Sequence, residues 1–229
     1  MRAARAFLQQ ADLSEGLEID LTKNIPLAAG LGGGSGNAAG TLLGLNELFR
    51  FPLRSEALAE IAAQIGSDVP FFLQRKPALA TGRGEAVQPV EPFAALNNLF
   101  ILLIHPGFGI STPWSYKSLA DFPNALPGKP GRAAALLDAL RRGDVAHAKD
   151  HFFNTLELPA FRKFPILKLY QDFLLQAGAM VTLMSGSGST TFAFFSNQAS
   201  ALQAEESFKN KFGERVWSKC LSARFGESS

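Results

Sequence analysis

Five of the seven positions from Gly30 to Gly36 are glycine (Gly30, Gly32, Gly33, Gly34 and Gly36). The stretch follows Pro26 and runs into a helical period at Ala38, Leu42, Leu45 and Leu48. Glycine loses more conformational freedom on folding than any other residue, so such density is kept where backbone bends tightly or approaches something closely. A glycine loop feeding a helix N-terminus presents unpaired N–H groups at the positive end of the helix dipole, a site for an anion and first of all a phosphate. The residues on the C-terminal side of the loop narrow its type. A Walker A loop needs Gly-Lys-Ser/Thr at its end, and no lysine comes after Gly36 before the helix. Gly34-Ser-Gly36-Asn-Ala-Ala39 has G-x-G-x-x-A spacing, but the next pattern, Ser55 to Ile65, is another helix and not the strand a dinucleotide fold requires. A flexible linker would lack the strand pattern ahead of it and the patterned helix behind it.

The other reactive residue types offer less. Cys220 is the single cysteine, which rules out an internal disulfide, fits a reducing compartment and reads as a part-buried strand thiol. His105, His147 and His151 make no metal-ligand spacing with it; His147 and His151 lie i, i+4 on a helical pattern and read as solvent-facing. The net charge is +2 and basic residues adjoin only in scattered pairs, Arg75-Lys76, Arg141-Arg142 and Arg162-Lys163, so no nucleic-acid surface is expected. Residues 24–46 carry no charge, yet seven are glycine, so apolar density is too low for a membrane helix. No signal-peptide pattern comes after Met1. Together these features predict a cytoplasmic protein that binds neither nucleic acid nor membrane. At 229 residues, 47% hydrophobic and 18% charged, the chain can build one domain or two small ones.

The elements that must position these residues are set by periodicity. Ala4, Phe7, Leu8 and Ala11 predict a helix already under way at the first residues, with no capping signal ahead. Leu17, Ile19 and Leu21 alternate with polar residues and predict a strand over Gly16 to Thr22. Ser55 is expected to cap a helix running to Ile65 and stopped by Gly66. Short strands joined at Gly82-Arg-Gly84, a buried strand over Asn98 to Ile104, and a loop from Phe122 to Gly131 come next. Helices are expected over Ala133–Leu140, around Val145 to Phe153, over Pro165–Gln176 and over Gln198–Phe212; strands over Ala179–Met184, Thr191–Phe195 and Arg215–Leu221. Strands and helices joined by short connections put the chain in the α/β or α+β class.

Pro26-Leu-Ala-Ala-Gly-Leu-Gly-Gly-Gly-Ser-Gly-Asn-Ala-Ala39 resembles the second signature of the GHMP kinase superfamily. Three further segments resemble that superfamily's motifs in the right order: Gly66-Ser-Asp-Val-Pro-Phe-Phe72, His105-Pro-Gly107 with Ser111-Thr-Pro113 and Tyr116 after it, and Ser185-Gly-Ser-Gly-Ser-Thr190. The form of the loop resembles that of the branch acting on a cytidine diphosphate ester of methylerythritol. The resemblance implies an α+β, two-lobed GHMP fold: residues 1–95 the remainder of an N-terminal ATP-binding, ribosomal-S5-like lobe, and residues 96–229 a ferredoxin-like C-terminal lobe. It implies ATP-dependent phosphorylation of the 2-hydroxyl of that substrate, a step of non-mevalonate isoprenoid synthesis, with Mg²⁺. Pro26, Leu27, Ala28, Ala29, Gly30, Leu31, Gly32, Gly33, Gly34, Ser35 and Gly36 would cradle the triphosphate, and Ser35 would reach a phosphate or the metal. Asp68 would be the catalytic base, where the plainer reading is a turn aspartate. Tyr116 would stack on the cytosine and Thr112 would hydrogen-bond substrate. Gly186, Ser187 and Gly188 would let a second loop approach the first, where the plainer reading is a hairpin turn.

The sequence departs from the family in three ways. Family members begin with a strand carrying Lys-x-Asn and an Arg-x-Asp-Gly-Tyr-His segment, and neither stands ahead of Met1 here, so roughly a quarter of a family member is expected to be missing. Loss of sheet strands would expose edges and core, and the 229 residues alone are expected to be unstable or inactive. Gly36 stands where serine is usual and Thr155 where aspartate is common. Another GHMP kinase with a different small alcohol, or a non-catalytic nucleotide-binding relative, are the alternative readings.

Overall fold

The structure is a computed structural model and describes residues 1–82, 84–125 and 131–223. Its contacts divide the chain into two compact units, one of residues 1–24 and 32–92 and one of residues 25–31 and 93–229. The boundary passes through the glycine-rich stretch, so Leu31 and Gly32 belong to different units.

The first unit is built on three helices, α1 (Arg2–Gln10), α2 (Gly33–Leu48) and α3 (Ser55–Ile65). Each turns small and branched residues inward: Ala3, Ala4 and Phe7 from α1, Ala39, Leu42 and Leu45 from α2, and Leu58, Ile61 and Ala62 from α3 share one core with Val69. Alanines at these contacts let the helix backbones come close, while Phe7 fills the centre and is fully buried. Helix α1 starts at the second residue, as the period predicted. Ser55 is the first helical residue of α3 and not its cap; the cap position is Arg54, with no side-chain bond to the helix. Gly66 ends that helix as expected. A small antiparallel hairpin, β1 (Ala78–Thr81) and β2 (Ala86–Pro89), completes the unit.

The strand expected over Gly16 to Thr22 does not form; residues 13–24 are irregular. A strand is stabilised by ladder bonds to a neighbour, and among the described residues none pairs with this segment. Ile19 and Leu21 are therefore exposed, as is Leu48, the last member of the α2 period. Together with Met1, Gly40 and Gly44 they line a groove of about 610 Å³.

The second unit holds a four-stranded antiparallel sheet of β3 (Phe100–His105), β4 (Val181–Met184), β5 (Thr191–Phe195) and β6 (Trp217–Ser222), in the order β4-β5-β3-β6. The first strand of the unit lies between the third and the fourth, which is the ferredoxin-like, split β-α-β arrangement. Register places Leu102 opposite Ala193 and Cys220, and Ile104 opposite Thr191 and Ser218. Leu102, Ile104, Ala193 and Phe195 on that face pack under α8 (Ile166–Gln176) and α9 (Gln198–Phe212) through Tyr170, Leu174, Ala201 and Phe208. Tyr170 meets the Phe208 ring edge-on at 4.6 Å between centroids, a favoured aromatic geometry. Cys220 is a half-buried thiol on β6, and burial raises its pKa, as befits a packing residue.

Two helices escaped the sequence reading, α4 (Thr112–Ser118) and α7 (Glu157–Lys163), each seven residues long and each containing a proline. Helix α5 (Arg132–Arg141) lies where the periodicity put it; of the helix expected around Val145 to Phe153, α6 covers Val145–Ala148, a 3₁₀ segment continues over Lys149–His151, and Phe152 and Phe153 are irregular. The predicted loop over Phe122–Gly131 contains a 3₁₀ turn at Pro123–Ala125; its residues 126–130 lie outside the described residues. No helix among the described residues is long and apolar enough to cross a membrane.

Candidate active site

In the first unit the glycines do not all form a loop. Gly33, Gly34 and Gly36 lie in the first turn of α2, and Gly32 caps it in the left-handed conformation at φ 63°. That cap offers no side-chain bond and the first turn holds no acidic residue, so the helix N-terminus is left open to an external anion. Lys23 adds a cation there: its Nζ donates to the carbonyl of Gly33 at 3.1 Å, and with the Asn37 amide turned so that its oxygen faces the lysine, Nζ reaches that oxygen at 3.2 Å. Sequence reasoning passed over Lys23, whose only signal was a lone lysine just before the glycine stretch.

Asp68 lies in the same unit, in the turn between Gly66 and a 3₁₀ segment over Pro70–Leu73. Val69, which is buried, anchors the turn, and its N–H donates to the carbonyl of Gly66 at 3.1 Å. The Asp68 carboxylate is exposed, with Ser67 Oγ donating to Oδ1 at 3.3 Å. The Phe72 ring ties this segment to the start of α2. A methyl on Gly32 would sit 2.4 Å from Phe72 Cζ, and one on Gly36 would sit 3.6 Å from Phe72 Cδ1. Glycine at 32 is thus required by the ring beneath it as well as by φ.

In the second unit, Ile25–Leu31 pack against the turn between β4 and β5. The N–H of Thr190 donates to the carbonyl of Ala29 at 3.1 Å, and Ser185 Oγ donates to the carbonyl of Gly30 at 2.9 Å. A Cβ on Gly30 would meet the Ser185 carbonyl oxygen at 2.0 Å, which backbone cannot tolerate. Gly186 does the reciprocal work, since a Cβ there would lie 3.1 Å from the Gly30 carbonyl oxygen, whereas one on Gly188 would meet Met184 Sδ at 2.7 Å at the end of β4. The close approach expected of the two glycine segments is present between residues 29–30 and 185–190.

Thr112 and Ser187 meet as hydroxyls at 2.8 Å, so the start of α4 is held to this turn. Ser111 caps α4 by accepting from Trp114 N–H at 3.4 Å, and the Trp114 ring is fixed between Phe164 and the Lys163 ammonium, 4.3 Å from its centroid. One turn on, Tyr116 stands 63% exposed, an aromatic face with no ring partner among the described residues. His105 ends β3 buried; its Nδ1 accepts from Gly107 N–H at 3.2 Å and burial lowers its pKa.

The supports of the second turn were not legible. Asn154 Nδ2 donates to the carbonyls of Met184 at 2.7 Å and Gly186 at 2.8 Å. Glu157 Oε1 accepts from Met184 N–H at 2.7 Å and Gln171 Nε2 at 2.6 Å. Burial raises the Glu157 pKa, against these bonds and the Lys168 charge, which lower it. The Glu157→Ala change leaves a buried N–H and a buried amide unpaired and should lower unfolding free energy by about 3 kcal/mol, while Glu157→Gln should cost about 1 kcal/mol or less. A raised carboxyl pKa means that the native chain holds the proton more tightly than the unfolded one. Its contribution is full below the unfolded value of 4.5 and is lost as pH rises through the native value. Urea unfolding of wild type and Glu157→Gln across pH 4–7 should show that slope in the first and its loss in the second.

Four-stranded sheet, glycine-held turns and an open helix N-terminus define a class, and comparison with known proteins agrees. Residues 1–76 match the GHMP kinases N terminal domain and residues 136–214 the GHMP kinases C terminal domain. The chain belongs to the GHMP kinase family. A protein of Syntrophotalea carbinolica called 4-diphosphocytidyl-2-C-methyl-D-erythritol kinase is 38% identical over 220 residues, 94% of this chain and 73% of that one. One of the same name from Geobacter metallireducens is 40% identical over 211 residues, 91% of this chain and 70% of its own. A crystal structure of 4-(cytidine 5'-diphospho)-2C-methyl-D-erythritol kinase matches with TM-score 0.74 at 35% identity, covering 97% of this chain and 77% of that one. A homoserine kinase from Cytophaga hutchinsonii matches as well in shape, TM-score 0.74, at 20% identity, and so shares the fold.

Proposed function

We propose that the chain transfers the γ-phosphoryl group of ATP to the 2-hydroxyl of 4-diphosphocytidyl-2-C-methyl-D-erythritol, in the cytoplasm, as a step of non-mevalonate isoprenoid synthesis. The observation that carries this is likeness to kinases of that name across nearly the whole chain. The uncapped N-terminus of α2 with Lys23 beside it supports the nucleotide part of the reading. Its N–H groups and the ammonium neutralise phosphate oxygens that carry charge before and during transfer. Pro26 to Gly36 cradle the triphosphate.

Asp68 takes the proton of the 2-hydroxyl as its oxygen bonds to the γ-phosphorus and the bond to the β-bridging oxygen breaks, leaving ADP and a phosphomonoester. An exposed carboxylate in a turn anchored by Val69 is open to a substrate hydroxyl. Mg²⁺ suits the donor chemistry. Among the described residues no group of three or more His, Cys, Asp or Glu could hold a metal, and a hard cation that keeps its waters is carried by nucleotide phosphates with one or two protein oxygens. The Ser35 hydroxyl would be one of those oxygens, and the ion when bound neutralises charge on the phosphates.

Tyr116 stacks on the cytosine and Thr112 hydrogen-bonds substrate. Base–aromatic stacking is worth about 1–3 kcal/mol, so Tyr116→Ala should raise KM for the cytidine substrate by about 5- to 150-fold and leave KM for ATP unchanged. Steady-state kinetics with each substrate varied checks it, and a shift confined to ATP would contradict the assignment.

A further inference from the structure

The two histidines one helical turn apart, set aside as solvent-facing in the sequence, are brought together by the structure. His147 lies in α6, whose N-cap Asp144 accepts the His147 N–H at 2.9 Å, and His151 ends the 3₁₀ segment Lys149–His151 that continues it. The junction turns both rings toward each other. Their Nε2 atoms are 3.1 Å apart and the ring centroids 4.8 Å apart, with the planes at 78°.

We propose that His147 and His151 chelate a divalent transition ion of the Zn²⁺, Cu²⁺ or Ni²⁺ class. Imidazole nitrogens bind such ions at about 2.0–2.1 Å, so two nitrogens 3.1 Å apart subtend roughly 98° at the metal, between square-planar and tetrahedral angles. The pair therefore needs only to turn its lone pairs outward to a common point, and the proton now shared between the rings is displaced to solvent. Among the described residues no third ligand joins them, so the remaining positions belong to water or to an exchangeable ligand. Imidazole selects the borderline transition ions over Mg²⁺, whose preference is oxygen, so this ion is distinct from the one carried with nucleotide. Three residues beyond His151, Asn154 pins the carbonyls of Met184 and Gly186. An ion bridging the two rings fixes the segment that leads into that clamp.

The test is calorimetric titration of ZnCl₂ into the untagged chain after removal of metal with EDTA. The expected result is one equivalent bound, with affinity weakened at least tenfold in His147→Gln and again in His151→Gln, and unchanged in Cys220→Ser. Melting temperature in EDTA should be the same for wild type and both histidine variants, since His147 is exposed and His151 half-buried. Its rise with Zn²⁺ should be lost in both variants. Zn²⁺ binding of equal strength in wild type and both variants would overturn the site, and so would an equal response to Mg²⁺ or no binding by wild type.

Discussion

Replacing Asp68 by Asn should lower kcat by about 10²- to 10⁴-fold, the range a positioned general base supplies, with both KM values close to wild type. The amide keeps the size of the side chain and its bond from Ser67, but it cannot take a proton. Because the carboxylate is exposed and its hydrogen-bond partner among the described residues is a neighbouring serine, stability should change by less than about 0.5 kcal/mol. A fall in melting temperature with kcat intact would return Asp68 to the plain role of a turn residue.

The second large effect belongs to Gly30. Alanine there must adopt φ near 76° and place its methyl 2.0 Å from the Ser185 carbonyl oxygen. The left-handed conformation alone costs about 1–2 kcal/mol. The clash then separates residues 29–30 from the 185–190 turn and breaks the Thr190 and Ser185 bonds. Gly30→Ala should destabilise the chain by about 3–5 kcal/mol, the range of the severe single changes, and should raise KM for ATP. Gly44→Ala is the contrasting case. It lies inside α2 at negative φ with nothing within 4 Å of a new methyl, so it should stabilise by about 1 kcal/mol. Thermal unfolding of the two variants side by side checks both signs.

These positions also mark what a sequence can reveal. Helices α3, α8 and α9 and strands β3 to β6 were legible because each buries one face or both and so writes its period into residue type. The Gly16–Thr22 strand was read from the same kind of period, yet strand geometry is completed by a partner, and alternation by itself makes no hydrogen bond. Helix α2 starts ahead of its apolar period: Gly33, Gly34 and Gly36 lie in its first turn although glycine disfavours helix by about 1 kcal/mol per residue, so residue type did not mark the start. Gly30, Gly186 and Gly188 could be picked out as glycines, but the backbone that Gly30 meets comes from a segment some 155 residues away. Asn154, Glu157 and Lys23 were missed for a related reason. Their side chains bond backbone groups set by tertiary folding, which leaves no spacing in the chain, although Asn154 adjoined the noted departure at Thr155.

The most direct test of the central claim is a paired assay of ADP release and phosphorus NMR of the product. ATP is offered with the cytidine substrate, homoserine or mevalonate. The account predicts one ADP per new phosphomonoester with the cytidine substrate alone, and its disappearance in Asp68→Asn. Turnover of homoserine or mevalonate instead, or equal ATP binding with no turnover in wild type and Asp68→Asn alike, would contradict it.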